Sequence, residues 1–213
     1  MPMRNRRRNI MSVWVAVIVA MLFFSACSGG RGKVAGNIMP EGLILREGDV
    51  VLRCGGGLTS HAVMLADNNG AYSHVGIVVD SAGTKMIVHA VPDEPDFEGD
   101  VDRVKMDSLG RFFSSVYADK GEVLRHKDAR VAARAAHYAL AIYHRKTLFD
   151  HDYDEKDTTK MCCTELITFS FARVGQPLQG VERHQLSIPG VQTDCVLPSD
   201  ILKCKDFQSI IKF

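Results

Sequence analysis

Cys163 stands where a thiol can act as a nucleophile. Polar residues from Asp154 to Lys160 precede it, and the apolar positions Leu166, Ile167, Phe169 and Val174 follow at helical spacing. That pattern predicts a helix starting at Cys162 or Cys163 and stopping before Gly175 and Pro177. In the first turn of a helix, a sulfur meets the positive end of the macrodipole, which favours the thiolate. The expectation is therefore a thiol pKa drawn down from about 8.5 to roughly 3.5–7.5. A thiol nucleophile also needs a proton-transfer partner. His74 and His89 both lie in β-branched, apolar stretches, and a strand histidine facing the helix start can take the proton and return it to a leaving group. Residue types alone do not settle the matter, because a cysteine at a helix start more often packs as a small buried hydrophobe.

The neighbouring residues have simpler readings. Cys162 is expected to pack against a sheet, and Glu165, on another face of the helix, to be structural. The Cys163 backbone N–H at the helix start is the expected oxyanion donor, and the Tyr72 hydroxyl is a second candidate. His61, His126, His137, His144, His151 and His184 belong to no motif. Asp150, Asp152 and Asp154 resemble the start of a calcium loop. Glu155 and Met161 stand where that loop needs glycine and glutamate, so the reading fails. Cys163, His74 and His89 together form a legitimate zinc ligand set with one open position. The working expectation is a site without cofactor or metal. Cys54, Cys162, Cys195 and Cys204 allow three full disulfide connectivities, among them a Cys195–Cys204 bridge.

Four segments in order carry a family resemblance. They are Gly48-Asp49-Val50-Val51, then Ser73-His74-Val75-Gly76-Ile77-Val78, then Phe149-Asp150 with Tyr153, and finally Cys163-Thr164-Glu165-Leu166-Ile167. This series resembles the YiiX-like permuted papain-fold cysteine hydrolases of the NlpC superfamily, which are related to lecithin retinol acyltransferase-like proteins. The likeness runs from about Gly48 to Val174. It implies a nucleophile at Cys163, a general base at His74 and an orienting third residue at His89, where the wider family often carries glutamate. With histidine there, no fixed carboxylate is expected to stabilise a His74 imidazolium.

The remaining pattern predicts what must hold these residues. A turn at Glu47-Gly48-Asp49 leads into a strand at Val50-Val51-Leu52, and Gly55-Gly56-Gly57 ends it in a loop. His74–Val79 and Lys85–Val91 form a hairpin across Asp80-Ser81-Ala82-Gly83. Pro92–Asp100 is an acidic surface loop, followed by short strands at Val101–Met106 and Glu122–Arg125. Asp128 caps a helix over Ala129–His144, and Ser209-Ile210-Ile211 closes the chain as a strand. Early strands, middle helices and a late strand predict an α+β domain with a mostly antiparallel sheet. The resemblance makes this a circularly permuted papain-like, NlpC-type fold with its nucleophile at a helix N-terminus.

The chain of 213 residues, 46% hydrophobic and 24% charged, excludes wholesale disorder and a polytopic membrane protein. Arg4, Arg6, Arg7 and Arg8 precede an apolar run from Ile10 to Phe24 that is broken only by Ser12. Ser25 and Ala26 then stand directly before Cys27. This is the layout of a lipoprotein signal peptide over residues 1–26, with Cys27 as the lipidated residue and 27–41 as a flexible tether. The hydrolase domain is expected over 42–213. Beyond residue 26, 22 basic residues face 25 acidic ones, so a nucleic-acid footprint is absent. The expected location is the bacterial cell envelope, on the periplasmic face of the outer membrane and held there by lipidated Cys27. The expected activity is thiol-dependent hydrolysis of a peptidoglycan-type peptide amide. A lipid ester hydrolase or acyltransferase on the same site, and a non-catalytic binding module of the same fold, are the alternatives.

Overall fold

The computed structural model describes residues 36–213 apart from 69, 154, 155, 189 and 190. The proposed signal peptide and Cys27 lie outside the described residues. The folded unit, Ala35–Phe213, is α+β and is built on an eight-stranded sheet. In chain order the strands are β1 (Val50–Cys54), β2 (His74–Ser81), β3 (Thr84–Val91), β4 (Arg103–Ser108), β5 (Lys120–His126), β6 (Leu148–Phe149), β7 (Lys160–Met161) and β10 (Phe207–Lys212). β8 (His184–Ile188) and β9 (Val191–Cys195) form a separate hairpin. The sheet order is β10-β5-β1-β2-β3-β4-β6-β7, antiparallel throughout except for the short β6–β7 pair. Five helices are described: α1 (Leu58–Ala66), α2 (Leu109–Phe112), α3 (Ala129–His144), α4 (Cys163–Arg173) and α5 (Pro198–Lys203). None is long and apolar enough to cross a membrane.

The turn chemistry explains the strand entries. Gly48 has φ +81°, and a Cβ there would sit 2.4 Å from the Ala132 backbone, so the chain enters β1 against α3 only with glycine. The next residue, Asp49, is buried and takes two hydrogen bonds from Arg125, at 2.8 and 2.7 Å. That bidentate pair ties the start of β1 to β5. In the β2–β3 hairpin, Ala82 and Gly83 both have positive φ, as a two-residue turn with the strands' own twist requires. Asp128 caps α3 as expected, accepting from the amides of Arg130 and Val131.

Alternation along the strands divides the core in two. Val50, Leu52, Val75, Ile77, Val88 and Ala90 face α3 and α4 and pack with Ala135, Ala139, Leu166, Ile167 and Phe171. Val51, Val78, Ile87 and Val123 face the other way, onto Phe112, Phe113 and Leu45. Each fully buried aliphatic side chain contributes roughly 1.5–3 kcal/mol relative to exposure. Ile38 and Met39 already pack against this second cluster, and Asn37 bridges to Ser114. The docked chain thus begins several residues ahead of Gly42, within the segment expected to be tether.

The helix α1 was not foreseen. It contains no buried residue, and its apolar side chains follow no amphipathic period. Asp67, at its end, is instead held by Ser199 of α5 through hydrogen bonds to the backbone N–H at 3.0 Å and the hydroxyl at 2.5 Å. A tertiary contact of this kind leaves no local periodicity to read. The expected Cys195–Cys204 bridge is not formed; both residues are thiols. Burial pushes the Cys204 thiol pKa up, and its Sγ donates to the Gln179 carbonyl at 3.4 Å.

Candidate active site

His74 opens β2 and is paired across the ladder with Arg53, the penultimate residue of β1. By alternation His74, Gly76 and Val78 share the face that carries Phe112. His89 lies on the adjoining strand beside Gly76. A Cβ at Gly76 would meet Ile87 Cγ2 at 2.6 Å and His89 Cβ at 3.2 Å, so glycine leaves the room that the two imidazoles occupy. The result is a direct contact, His74 Nε2 to His89 Nδ1 at 2.8 Å. Phe112 packs on both rings, with centroids 5.8 and 5.1 Å away.

Behind His89 stands a residue that sequence reasoning missed. Asp107 of β4 accepts from His89 Nε2 at 3.2 Å and from Arg111 Nε at 3.1 Å. The expected strand ended at Met106, one residue short of Asp107. The signal that could have found it is strand period, because Lys105 pairs with His89 and Asp107 is two residues on, on the same face. A fixed carboxylate therefore does support the histidines, contrary to the expectation drawn from His89.

This chain of contacts sets the tautomers. Burial works against the Asp107 carboxylate, but hydrogen bonding and charge from His89, with Arg111 and Lys105, outweigh it and hold its pKa below the usual value. An ionised Asp107 fixes the proton of His89 on Nε2, so Nδ1 accepts from His74 Nε2–H. His74 Nδ1 is left with the lone pair. Both rings are neutral near pH 7. Burial is the main cause for each; it pushes His89 to about 4 and, with the Arg53 charge, His74 well below its ordinary value.

Cys163 is the first residue of α4, and Cys162 is its cap. Glu165 accepts from the Cys162 backbone N–H at 3.3 Å, a structural role as expected. Cys162 is buried in the core, with its sulfur 3.3 Å from the Thr164 hydroxyl. Both cysteines border a cavity of about 200 Å³ at the sheet end formed by Arg53 and His74, and Cys163 is the more exposed of the two. Ser73, His74, Glu94, Tyr153 and Cys163 line it together with α1 and the apolar Ala90, Val91, Phe149, Val196 and Leu197. Tyr72 is not part of this wall. Its hydroxyl bonds Glu122, and Lys120 lies 5.6 Å from its ring, so the oxyanion role expected of it finds no support.

The thiol differs from expectation in direction. Burial pushes Cys163 up to about 11, against the backbone N–H groups of Val75, Thr164 and Cys163 itself and the more distant Arg53 charge. Desolvation outweighs the helix start, and a neutral His74 supplies no imidazolium to pair with a thiolate. At rest Cys163 is a thiol and His74 a neutral imidazole; they line one cavity without a hydrogen bond between them. Iodoacetamide should accordingly modify Cys163 slowly at pH 6 and increasingly fast above pH 9, with Cys162, higher still and buried, the slower of the two. Peptide mass mapping across pH checks this. A rate plateau already reached at pH 6 would restore the ion pair.

Charge compensation around the histidines comes from the loop Pro92–Asp100. Glu94 pairs with the buried Arg53, whose other amino group donates to the Phe112 carbonyl at 2.9 Å. Asp96 pairs with Lys105 at 2.7 Å and Arg111 at 2.9 Å. The acidic loop thus supplies counter-charges to the buried Arg53 and Lys105, and it shares the partly exposed Arg111 with Asp107. Ser73 Oγ, by contrast, is buried beside the cavity and has no hydrogen-bond partner among the described residues.

These buried neutral histidines couple stability to pH. Because the folded pKa of His89 lies below its unfolded value of about 6.5, the unfolded chain takes up a proton that the native state refuses. Stability is complete above pH 6.5 and falls as pH drops toward 4, by on the order of 3 kcal/mol for His89 alone. Urea titrations at pH 7 and pH 4.5 measure the difference, and His89→Gln should shrink it.

No family model matches the chain, and no curated protein does. Among solved structures, the chain is similar to the crystal structure of metalloprotein YiiX from Escherichia coli O157:H7, with a TM-score of 0.63. The match covers 79% of this chain and 97% of that one, at 16% identity. The fold is YiiX-like. At this identity the YiiX likeness concerns architecture, and the chemistry has to be argued from the side chains.

Proposed function

We propose that the protein is a thiol-dependent hydrolase with a permuted papain-like arrangement, in which Cys163 is the nucleophile and His74 the general base. The observation that carries this reading is the Asp107–His89–His74 relay, which leaves the His74 Nδ1 lone pair on a histidine that shares one cavity with Cys163. His74 Nδ1 removes the thiol proton as Sγ attacks a carbonyl carbon, and the carbonyl electron pair moves to oxygen. The backbone N–H groups at the sulfur, those of Cys163 and Thr164 at the start of α4 and of Val75 in β2, are the donors for that charge. Collapse expels an amine or alcohol, which takes the proton from His74. Water, deprotonated by the same nitrogen, then cleaves the thioester and regenerates the thiol. His89 and Asp107 are positioning residues: they hold the tautomer and stabilise the transient imidazolium.

A peptide amide of the cell wall and a lipid ester are both carbonyl substrates for this site. The apolar cavity walls, Ala90, Val91, Phe149, Val196 and Leu197, favour the ester of an apolar acyl group. Signal-peptide processing, lipidation at Cys27 and a periplasmic setting complete the proposal. A zinc centre on Cys163, His74 and His89 does not fit, because both His89 nitrogens are hydrogen-bonded. Among the described residues no group of three His, Cys, Asp or Glu side chains is arranged to hold a metal. The test is to quench the protein with short-chain p-nitrophenyl esters and with peptide amides, and to weigh its Cys163 peptide. An acyl mass on Cys163 supports the hydrolase. No acyl adduct with any substrate leaves a binding module.

A further inference from the structure

Helix α1 is an unusual wall for a cavity. From Gly55 to Ala66 the sequence carries no acidic or basic side chain except His61, and no residue of the helix is buried. Thr59, Ser60, Ala62, Val63 and Ala66 line the cavity. Leu58 and Leu65, seven residues apart and so on one stripe, flank that lining face and are 91% and 70% exposed. The same feature recurs in the other segments that line the cavity. The loop carrying Pro92 and Glu94 also carries Phe97, 63% exposed, and Val116, beside the cavity residue Tyr117, is 61% exposed. Exposed apolar side chains scattered singly are ordinary, but here each accompanies a segment of one cavity wall.

We propose that Leu58 and Leu65 of α1 form a lipid-docking face, which inserts into the acyl boundary of a bilayer and presents the cavity to an acyl group held there. This deepens the hydrolase reading by naming the surface from which its substrate comes. A bilayer suits the face better than an anionic or cationic protein partner, because the helix offers no Asp, Glu, Lys or Arg to complement. His61, between the two leucines on the stripe, turns its Nδ1–H to the Gly57 carbonyl at 2.8 Å. The chain supplies the proximity. Cys27 lies nine residues before Gly36, so an acylated Cys27 would keep the folded unit within roughly 30 Å of a membrane.

The test uses the processed protein acylated at Cys27, which contains no tryptophan because the single one, Trp14, is removed with residues 1–26, reconstituted in phosphatidylcholine vesicles whose acyl chains are plain or brominated. Tryptophan is then placed at one site at a time, as Leu58→Trp, Leu65→Trp or, as reference, Ile44→Trp. Ile44 is 81% exposed and precedes β1, whereas α1 follows that strand. Bromine should quench about half or more of the emission at positions 58 and 65 and about a tenth or less at 44, as expected for side chains inserted at the acyl boundary. Raising the salt should not relieve the quenching, because the contact is apolar. Equal quenching at all three positions, or none at 58 and 65, overturns the proposal. So does a dimer that Leu65→Asp dissociates, since a second copy would then cover the face. Quenching does not depend on Cys163, so repeating it in Cys163→Ala separates failure of the docking face from failure of the hydrolase.

Discussion

Cys163→Ala will lower turnover of every ester and amide substrate by about 10⁴-fold or more, with little change in melting temperature. The asymmetry follows from where the sulfur sits. Cys163 is half-buried at the cavity and only packs against the edge of the core, so truncating it removes few contacts. Chemically it removes the only atom in the proposed mechanism that forms a covalent bond. His74→Ala should match the loss in turnover but also cost stability, because His89 Nδ1 then loses its donor inside a buried site. Steady-state rates with thermal melts on the two variants separate these outcomes. Turnover surviving in Cys163→Ala would move the chemistry elsewhere.

Asp107→Asn is the sharper test of the relay. The amide is nearly isosteric, so His89 and Arg111 keep a neighbour of the same shape, but the fixed negative charge is gone. Arg111 Nε–H and His89 Nε2 share one oxygen of Asp107, so the amide keeps its carbonyl there and the tautomers stand, but the charge that stabilises the transient His74 imidazolium is lost. The expected result is a fall in kcat of about 10²–10⁴-fold with KM nearly unchanged. Asp107→Ala should add destabilisation of roughly 3 kcal/mol or more, since Arg111 and the buried Lys105 lose a compensating charge. If Asp107→Asn retains full kcat across pH, the carboxylate is structural and the proton path ends at His89.

Elements with a strong local period were readable from the chain alone. Helix α3 spans Ala129–His144 as expected, because Asp128 caps it and a regular apolar face runs through it. The β2–β3 hairpin follows from two β-branched runs joined by a turn that accepts positive φ. The start of α4 was likewise legible, with polar residues before Cys163 and a helical apolar spacing after it. What required the tertiary structure is everything set by contacts distant in sequence. Helix α1 has no amphipathic signature, since the contacts that hold it come from the far end of the chain. Asp107 is 18 residues from His89, and only the β3–β4 register makes it the carboxylate of the site. The direction of the Cys163 pKa was likewise out of reach. A helix start is visible in sequence, but desolvation depends on what closes over the sulfur, and here that effect is the larger one.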